Sequence, residues 1–171
     1  MKSCINSGRS FERIDDTDLA RLAEIAAEDR KDFFSRHPLY AHAKVLCVTL
    51  CQGAALHYVD GSSGVKDFDV WTFFERTQQC PDFPCRRRLE RDFGESKFGK
   101  NPADRYLTGR RVDLIGRSIE SDDMIPTAAL AKYLSDGQTH SARHLSQKAV
   151  ILLEPTDLRG VVVWPRREPN A

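Results

Sequence analysis

The run Val45–Leu50, rich in apolar and β-branched residues, constrains the fold of this chain more than any other segment. It shows no alternation of apolar and polar residues, which is typical of a strand covered on both faces. A second aromatic and β-branched run, Phe68–Phe74, predicts another strand. The sequence therefore predicts an α/β (α+β) fold: a small mixed β-sheet with helices packed mainly on one face.

The remaining elements fit a single domain over residues 1–171 with its core at about 45–117. Apolar residues at helical spacing behind an acidic cap predict an N-terminal helix at about 16–35. Further helices and two late strands are expected between 126 and 164. A chain of 171 residues is long enough for one well-buried core, so neither disulfides nor a structural metal is required. The five scattered cysteines are expected to be reduced thiols.

Charge and hydropathy exclude some classes of protein. The chain has 26 Lys plus Arg against 25 Asp plus Glu, which argues against a protein that coats nucleic acid over its whole surface. Between 86 and 117, however, ten basic residues face five acids, so this segment is a candidate nucleic-acid contact. No stretch approaches a membrane span, and Met1–Phe11 lacks an apolar signal core. We expect a cytoplasmic protein that does not enter membranes.

Three acids stand inside or beside apolar strands. Asp67 and Asp69 open the second predicted strand, and Asp113 lies in a third, Arg111–Gly116. Residues two apart in a strand point to the same face, so Asp67 and Asp69 should project side by side. Such carboxylates repel unless a cation lies between them, and Mg²⁺ prefers oxygen ligands of this kind. These acids are therefore candidate metal ligands, with strand-edge acids facing solvent as the alternative.

The order of these motifs resembles the nucleotidyltransferase superfamily of the polymerase-beta type. The resemblance rests on an apolar strand followed by Gly53-Ala54, on Asp67-Phe68-Asp69-Val70 after the twelve residues Ala55–Lys66, and on Val112-Asp113-Leu114. It covers about 45–117, less than half the chain. In this family a Gly-Ser turn holds nucleotide phosphates, an Asp-x-Asp pair binds two Mg²⁺ ions, and a third acid completes the site.

The resemblance implies an enzyme that moves a nucleoside monophosphate from a nucleoside triphosphate to a hydroxyl of an unidentified acceptor: a small molecule, a protein or RNA. Asp67, Asp69 and Asp113 would be the catalytic residues and hold two Mg²⁺ ions, and Gly53, Ala54 and Lys66 would bind the nucleotide. Asp113 would also favour deprotonation of the acceptor. Arg110, Arg111 and Arg117 flank Asp113 and are further candidates to lie near the triphosphate.

One departure from the family pattern leaves alternatives open. Ala54 stands where the family has serine, so a hydroxyl to phosphate is lost unless Ser62 or Ser63 replaces it. A charged hydrogen bond is worth roughly 1.5 to 3 kcal/mol. The main alternative is a non-catalytic binding or regulatory module on the same fold, such as a toxin–antitoxin component with a protein partner.

A zinc site is a third alternative. It would use Cys80 and Cys85 together with His140 and His144, whose spacings within each pair suit zinc. The 54 residues between Cys85 and His140 favour buried thiols and surface histidines instead. His57 follows Gly53 closely, and a packing role is its default interpretation.

Overall fold

The computed structural model describes residues 8–79 and 89–165. Over these residues the fold is mixed α/β, which confirms the predicted class. The strands are β1 (Val45–Cys51), β2 (Phe68–Glu75), β3 (Leu89–Asp92), β4 (Arg111–Ile119), β5 (Ala149–Glu154) and β6 (Val162–Trp164). The helices are α1 (Asp16–Arg36), α2 (Gln52–Asp60), α3 (Pro126–Asp136) and α4 (His140–Leu145), and Pro38–Tyr40 and Thr156–Leu158 form short 3-10 helices.

The six strands form one mixed sheet in the order β3-β4-β2-β1-β5-β6. Strands β2 and β4 run parallel, whereas every other neighbouring pair is antiparallel. The predicted strand Val45–Leu50 corresponds to β1, which lies inside the sheet between β2 and β5 and is almost entirely buried. This position explains its unbroken apolar sequence, because helices cover it above and below.

Alternate residues of the strands pack into two main cores, one on each face of the sheet, beside a small third cluster of Phe33 and Phe74. Val48, Leu50 and Val70 pack with α1 and α2 on one face, and Trp71 and Leu152 pack with α3 and α4 on the other. Two helices lie on each face of the sheet, whereas the sequence led us to expect them mainly on one face. The two faces matter for the site, because residues with odd numbers on β2 and β4 all point toward α3 and α4.

Helix α1 begins and ends as the sequence predicts. The Asp15 carboxylate accepts hydrogen bonds from the backbone N–H groups of Thr17 and Asp18, and the Asp18 carboxylate accepts one from the Asp15 N–H, which completes a capping box. Lys97 Nζ lies 2.6 Å from Asp15 and 2.8 Å from Asp18. The cap therefore also anchors the loop that follows β3.

Strand β3 is the element that sequence patterns missed. Its four residues, Leu89–Asp92, carry only one apolar side chain and follow a polar stretch that suggested irregular structure. It pairs antiparallel with β4 at the edge of the sheet. Edge strands that are short and charged resist pairing with other chains, which accounts for this composition. In the described ranges 8–79 and 89–165, no helix has both the length and the apolar character needed to cross a membrane.

Candidate active site

The three predicted acids converge at the start of the parallel pair β2–β4. Asp69 and Asp113 are register partners on these two strands, and neighbouring strands lie about 4.8 Å apart. Both side chains point to the α3–α4 face, and Asp67, two residues before Asp69, meets the same guanidinium group as Asp113. The structure thus brings together acids that are 44 and 46 residues apart in sequence.

The cation among these acids is Arg111. Its Nη2 lies 3.0 Å from Asp67 Oδ2, and its Nε lies 3.2 Å from Asp113 Oδ1. Its Nη1 faces Asp104 Oδ1 at 3.4 Å and Glu90 Oε1 at 3.9 Å. We call Asp67, Asp69, Glu90, Asp104 and Asp113 the acid cluster.

The ion pairs between Arg111 and the acid cluster are partly or fully buried, so water screens them little. The Asp113 side chain is 1% exposed, and that of Arg111 is 22% exposed. Burial by itself would lower the pKa of Arg111, but Asp113, Asp104, Asp67 and Glu90 together raise it above its ordinary value. The Arg111 guanidinium is therefore firmly charged, and the four carboxylates of Asp67, Glu90, Asp104 and Asp113 lie within 4 Å of it.

The turn from β1 into α2 adjoins the acid cluster. Cys51, the last residue of β1, is the register partner of Asp69, so α2 begins beside that carboxylate. Cys51, the N-cap residue of α2, makes no side-chain capping hydrogen bond, and Gly53 and Ala54 lie in the first turn. Gln52 connects the two elements with φ +61°, a strained conformation for a residue other than glycine. Its Nε2 donates to the carbonyl of His144 in α4.

Ser63 and Arg9 lie next to Gly53. A Cβ atom at Gly53 would be 3.4 Å from Ser63 Oγ and 3.7 Å from Arg9 Nη1. Ala54, by contrast, is buried in the core with α1, so only its backbone N–H could serve a phosphate. Of the two serines that could replace the missing hydroxyl, the structure places Ser63 at the turn, while Ser62 Oγ donates to Asp60.

Residues 8–13 form a strap over the loop before β2. Ser10 and Val65 exchange two backbone hydrogen bonds of 2.9 and 2.6 Å, and Arg9 Nη1 donates to the carbonyls of Ser63 and Gly64. Gly64 has φ +66°, and a Cβ there would come within 3.2 Å of Arg9 and Phe11. The strap therefore requires glycine at this position and holds the loop against the N-terminus of α2.

His57 supports the same loop and has the packing role that was its default interpretation. The Gly64 N–H donates to His57 Nδ1 at 3.0 Å, so Nδ1 carries no proton. His57 Nε2 therefore donates to the Glu12 carbonyl at 3.2 Å. The buried ring joins the loop to the strap with both nitrogens engaged and is not available as a ligand.

The four cations expected near a triphosphate occupy different places. Arg110 is buried and donates to the carbonyls of Phe98, Gly8 and Lys66, so its guanidinium serves the fold. Lys66 is exposed directly before Asp67, and Arg117 donates to Ser141 Oγ in α4. Arg111 lies within the acid cluster. Its place could have been inferred, because residues 111 and 113 share one face of a strand.

Several basic side chains of the segment at 86–117 are paired with acids or carbonyls of the protein itself. Arg91 pairs with Asp29 and Asp32, and Lys97 pairs with the α1 cap. Lys100 Nζ donates to the Arg105 carbonyl, which ties it within its own loop. Residues 86–88 lie outside the described ranges, and binding of nucleic acid by this segment stays a prediction.

Half of the alternative zinc set falls within the described residues. His140 and His144 lie on α4 with their ring centroids 6.2 Å apart. Cys80 and Cys85 lie outside the described residues. Cys47 and Cys51, which are described, are free and buried.

The acid cluster matches a magnesium site in its chemistry but is closed around an arginine. Carboxylate oxygens are the ligands that Mg²⁺ prefers, and several converge here. Within 8–79 and 89–165, however, no three His, Cys, Asp or Glu side chains are already arranged to hold a metal ion. The carboxylate oxygens suit Mg²⁺ by chemical type, and Arg111 holds those of Asp67 and Asp113 in this arrangement.

Searches of this chain against protein-family models, curated proteins and solved structures found no match.

Proposed function

We propose that this protein is a Mg²⁺-dependent nucleotidyltransferase that transfers a nucleoside monophosphate to an acceptor hydroxyl. The observation that carries the proposal is the pairing of Asp69 with Asp113 on adjacent parallel strands, next to the N-terminus of α2, which the Cys51 side chain does not cap. A cation site beside an anion site suits a metal–triphosphate complex. The proposal includes membership of the polymerase-beta type superfamily, which the sequence resembles.

In this proposal the three aspartates have different roles in binding metal and in removing the acceptor's proton. Asp67 and Asp69 would hold the two Mg²⁺ ions, and Asp113 would hold one of them and favour loss of the acceptor's proton. When bound, Mg²⁺ neutralises charge on the phosphates and lowers the pKa of an attacking oxygen. The acceptor oxygen bonds to the α-phosphorus, the bond to diphosphate breaks, and the hydroxyl proton passes through Asp113 to solvent.

The chain's own groups position the nucleotide. Backbone N–H groups of Gly53 and Ala54 contact phosphate oxygens, helped by the positive end of the α2 dipole. Ser63 Oγ lies close enough to Gly53 to supply the hydroxyl that Ala54 lacks, and Lys66 offers a nearby ammonium group. The acceptor stays open between a small molecule, a protein and RNA.

Calorimetric titration of each nucleoside triphosphate, with and without Mg²⁺, tests the proposal. We expect wild type to bind at least one of them only with Mg²⁺. We expect Asp67→Asn/Asp69→Asn to bind at least tenfold more weakly, which corresponds to about 1.4 kcal/mol. Asp122→Asn/Asp123→Asn is the matched control, because it removes two exposed acids at the other end of β4. Equal binding by wild type and the first variant would contradict the proposal.

A second function, a non-catalytic binding or regulatory module, is favoured by the closure of the acid cluster around Arg111. Labelled α-phosphate offered with protein, RNA and aminoglycoside acceptors separates the two. Transfer of label supports the enzyme. Mg²⁺-dependent nucleotide binding without transfer supports the module, which a toxin–antitoxin system would use with a protein partner.

A further inference from the structure

Arg111 contacts acids on two sides of its guanidinium group. On one side, Nη2 and Nε contact Asp67 and Asp113, two of the three proposed metal ligands. On the other side, Nη1 faces Asp104 and Glu90, which have no assigned role in binding metal. The guanidinium could therefore leave the first two acids and still keep negative partners.

We propose that Arg111 is an internal counter-ion that competes with Mg²⁺ for Asp67 and Asp113 and moves toward Asp104 and Glu90 when the metal binds. The inference rests on the proposed function, because it takes these acids as metal ligands. It adds a regulatory step: the cation-free protein is held in a stable, closed form, and metal binding opens it.

Elementary electrostatics supports competition rather than coexistence. Asp113 is almost fully buried, and a buried carboxylate without a cation would be strongly destabilising. Arg111 supplies that cation, so the fold does not need metal to be stable. A divalent ion and a guanidinium held by the same carboxylate oxygens repel one another strongly at this range, even with an effective dielectric constant of about 20. One must withdraw for the other to bind.

The arginine side chain is long enough for this exchange. Its charged group is joined to the backbone through a flexible aliphatic stem, so it can turn without a change in β4. The Asp104 side chain is 14% exposed and that of Glu90 is 55% exposed. The displaced guanidinium would thus move outward, toward the more solvated half of the acid cluster.

The test is direct binding of Mn²⁺, a spectroscopic substitute for Mg²⁺, in the absence of nucleotide. We expect Arg111→Met to bind Mn²⁺ at least tenfold more tightly than wild type, by electron paramagnetic resonance or calorimetry. Arg91→Met is the matched control: Arg91 also pairs with two acids, Asp29 and Asp32, but on the side facing α1. Its Mn²⁺ affinity should equal that of wild type.

Thermal unfolding provides a readout independent of activity. Without metal, Arg111→Met should melt well below wild type, because Asp113 loses its counter-ion. Saturating Mg²⁺ should raise the melting temperature of Arg111→Met most of the way back to that of wild type. It should raise the melting temperature of wild type much less. If Arg111→Met does not fold, wild type still answers the question through the Arg111 Nε–H resonance, assigned by its loss in Arg111→Lys. That resonance should shift as Mg²⁺ binds.

The outcomes separate the inference from the proposed function. If wild type binds Mn²⁺ through Asp113, judged by loss of binding in Asp113→Asn, but Arg111→Met binds no more tightly, the inference is wrong and the proposed function stands. An unmoved Nε–H resonance at saturating Mg²⁺ would also overturn the inference alone. If neither wild type nor Arg111→Met binds divalent cations, both proposals fail.

Discussion

At the scale of single residues, Asp92 at the end of β3 fixes the long loop that leads into β4. Its carboxylate accepts hydrogen bonds from the Gly94, Thr108 and Gly109 N–H groups and from the Thr108 hydroxyl. Burial raises the pKa of Asp92, but these hydrogen bonds outweigh it and lower the pKa to about 2. A Cβ at Gly109 would overlap the Gly94 carbonyl, so the loop closes only with glycine there.

We expect Asp92→Asn to lower the free energy of unfolding at pH 7 by roughly 2 kcal/mol, since an amide has one acceptor oxygen for these donors. Because the folded pKa is depressed, this stabilisation is complete above the unfolded pKa near 3.8 and is lost as pH falls through about 2. Urea unfolding at pH 7, 4 and 2.5 should show that the difference in free energy of unfolding between wild type and Asp92→Asn becomes smaller as the pH falls. Glu95→Gln, at an exposed position in the same loop, is the control and should leave the free energy of unfolding almost unchanged. A difference between wild type and Asp92→Asn that grows as the pH falls would contradict the lowered pKa of Asp92.

Residue patterns could predict part of the candidate site. Asp67 and Asp69 are adjacent by the two-residue period of a strand, and the same rule places Arg111 beside Asp113. The period does not indicate which strands are neighbours, so it could not bring Asp104 and Glu90 to the site. Arg9 reaches Gly53 through the strap, from 44 residues earlier in the chain, a contact that no local pattern could predict.

At the scale of elements, α1 is joined to the sheet by an ion pair as well as by its apolar face. Arg30 Nη2 lies 3.0 and 2.8 Å from the two Glu154 oxygens at the end of β5. The side chains are 17% and 25% exposed, so water screens them less than most surface pairs. This contact sets the position of the C-terminal half of α1 over the sheet.

A double-mutant cycle with Arg30→Met and Glu154→Gln should give a coupling energy of about 1 to 2 kcal/mol in chemical denaturation. The exposed pair Arg21–Glu24 within α1, 3.4 Å apart, is the matched control. Its coupling should stay below about 0.5 kcal/mol. Equal coupling energies for the two pairs would show that α1 is held by its apolar face alone.

Local pattern predicted most elements because their apolar periods are strong. The helix expected at 16–35 is α1 within a residue or two, and β1, β2 and β5 follow from apolar runs. Strand β3 could not be found in this way, because its stability comes from pairing with β4 and not from its own side chains.

At the scale of the whole molecule, the buried thiols report on global unfolding. Cys47 and Cys51 lie on β1 in the middle of the sheet, and burial raises the pKa of Cys47 to about 12 and that of Cys51 further. Thiolate is the reactive form, so both groups should be inert while the fold is closed. Both side chains pack beneath α3 and α4, on a strand held between β2 and β5.

We expect Cys4→Ser/Cys80→Ser/Cys85→Ser to react with a thiol reagent at neutral pH only as fast as the whole protein opens. In denaturant the reagent should label Cys47 and Cys51 of the same variant together and at the same rate. Labelling that is fast under native conditions, without loss of circular dichroism, would mean that β1 opens locally and would contradict this view of the core.

The order of the strands also bears on how the protein is made. Cys51 in β1 pairs with Asp69 soon after it in the chain, but its other partner, Val150, comes about a hundred residues later. At roughly 5 to 20 residues per second, a ribosome needs about 5 to 20 s to supply that second partner. Throughout this interval one edge of a strongly apolar strand has no neighbour. The nascent chain is therefore most exposed to aggregation, and most dependent on chaperones, between the synthesis of β1 and that of β5.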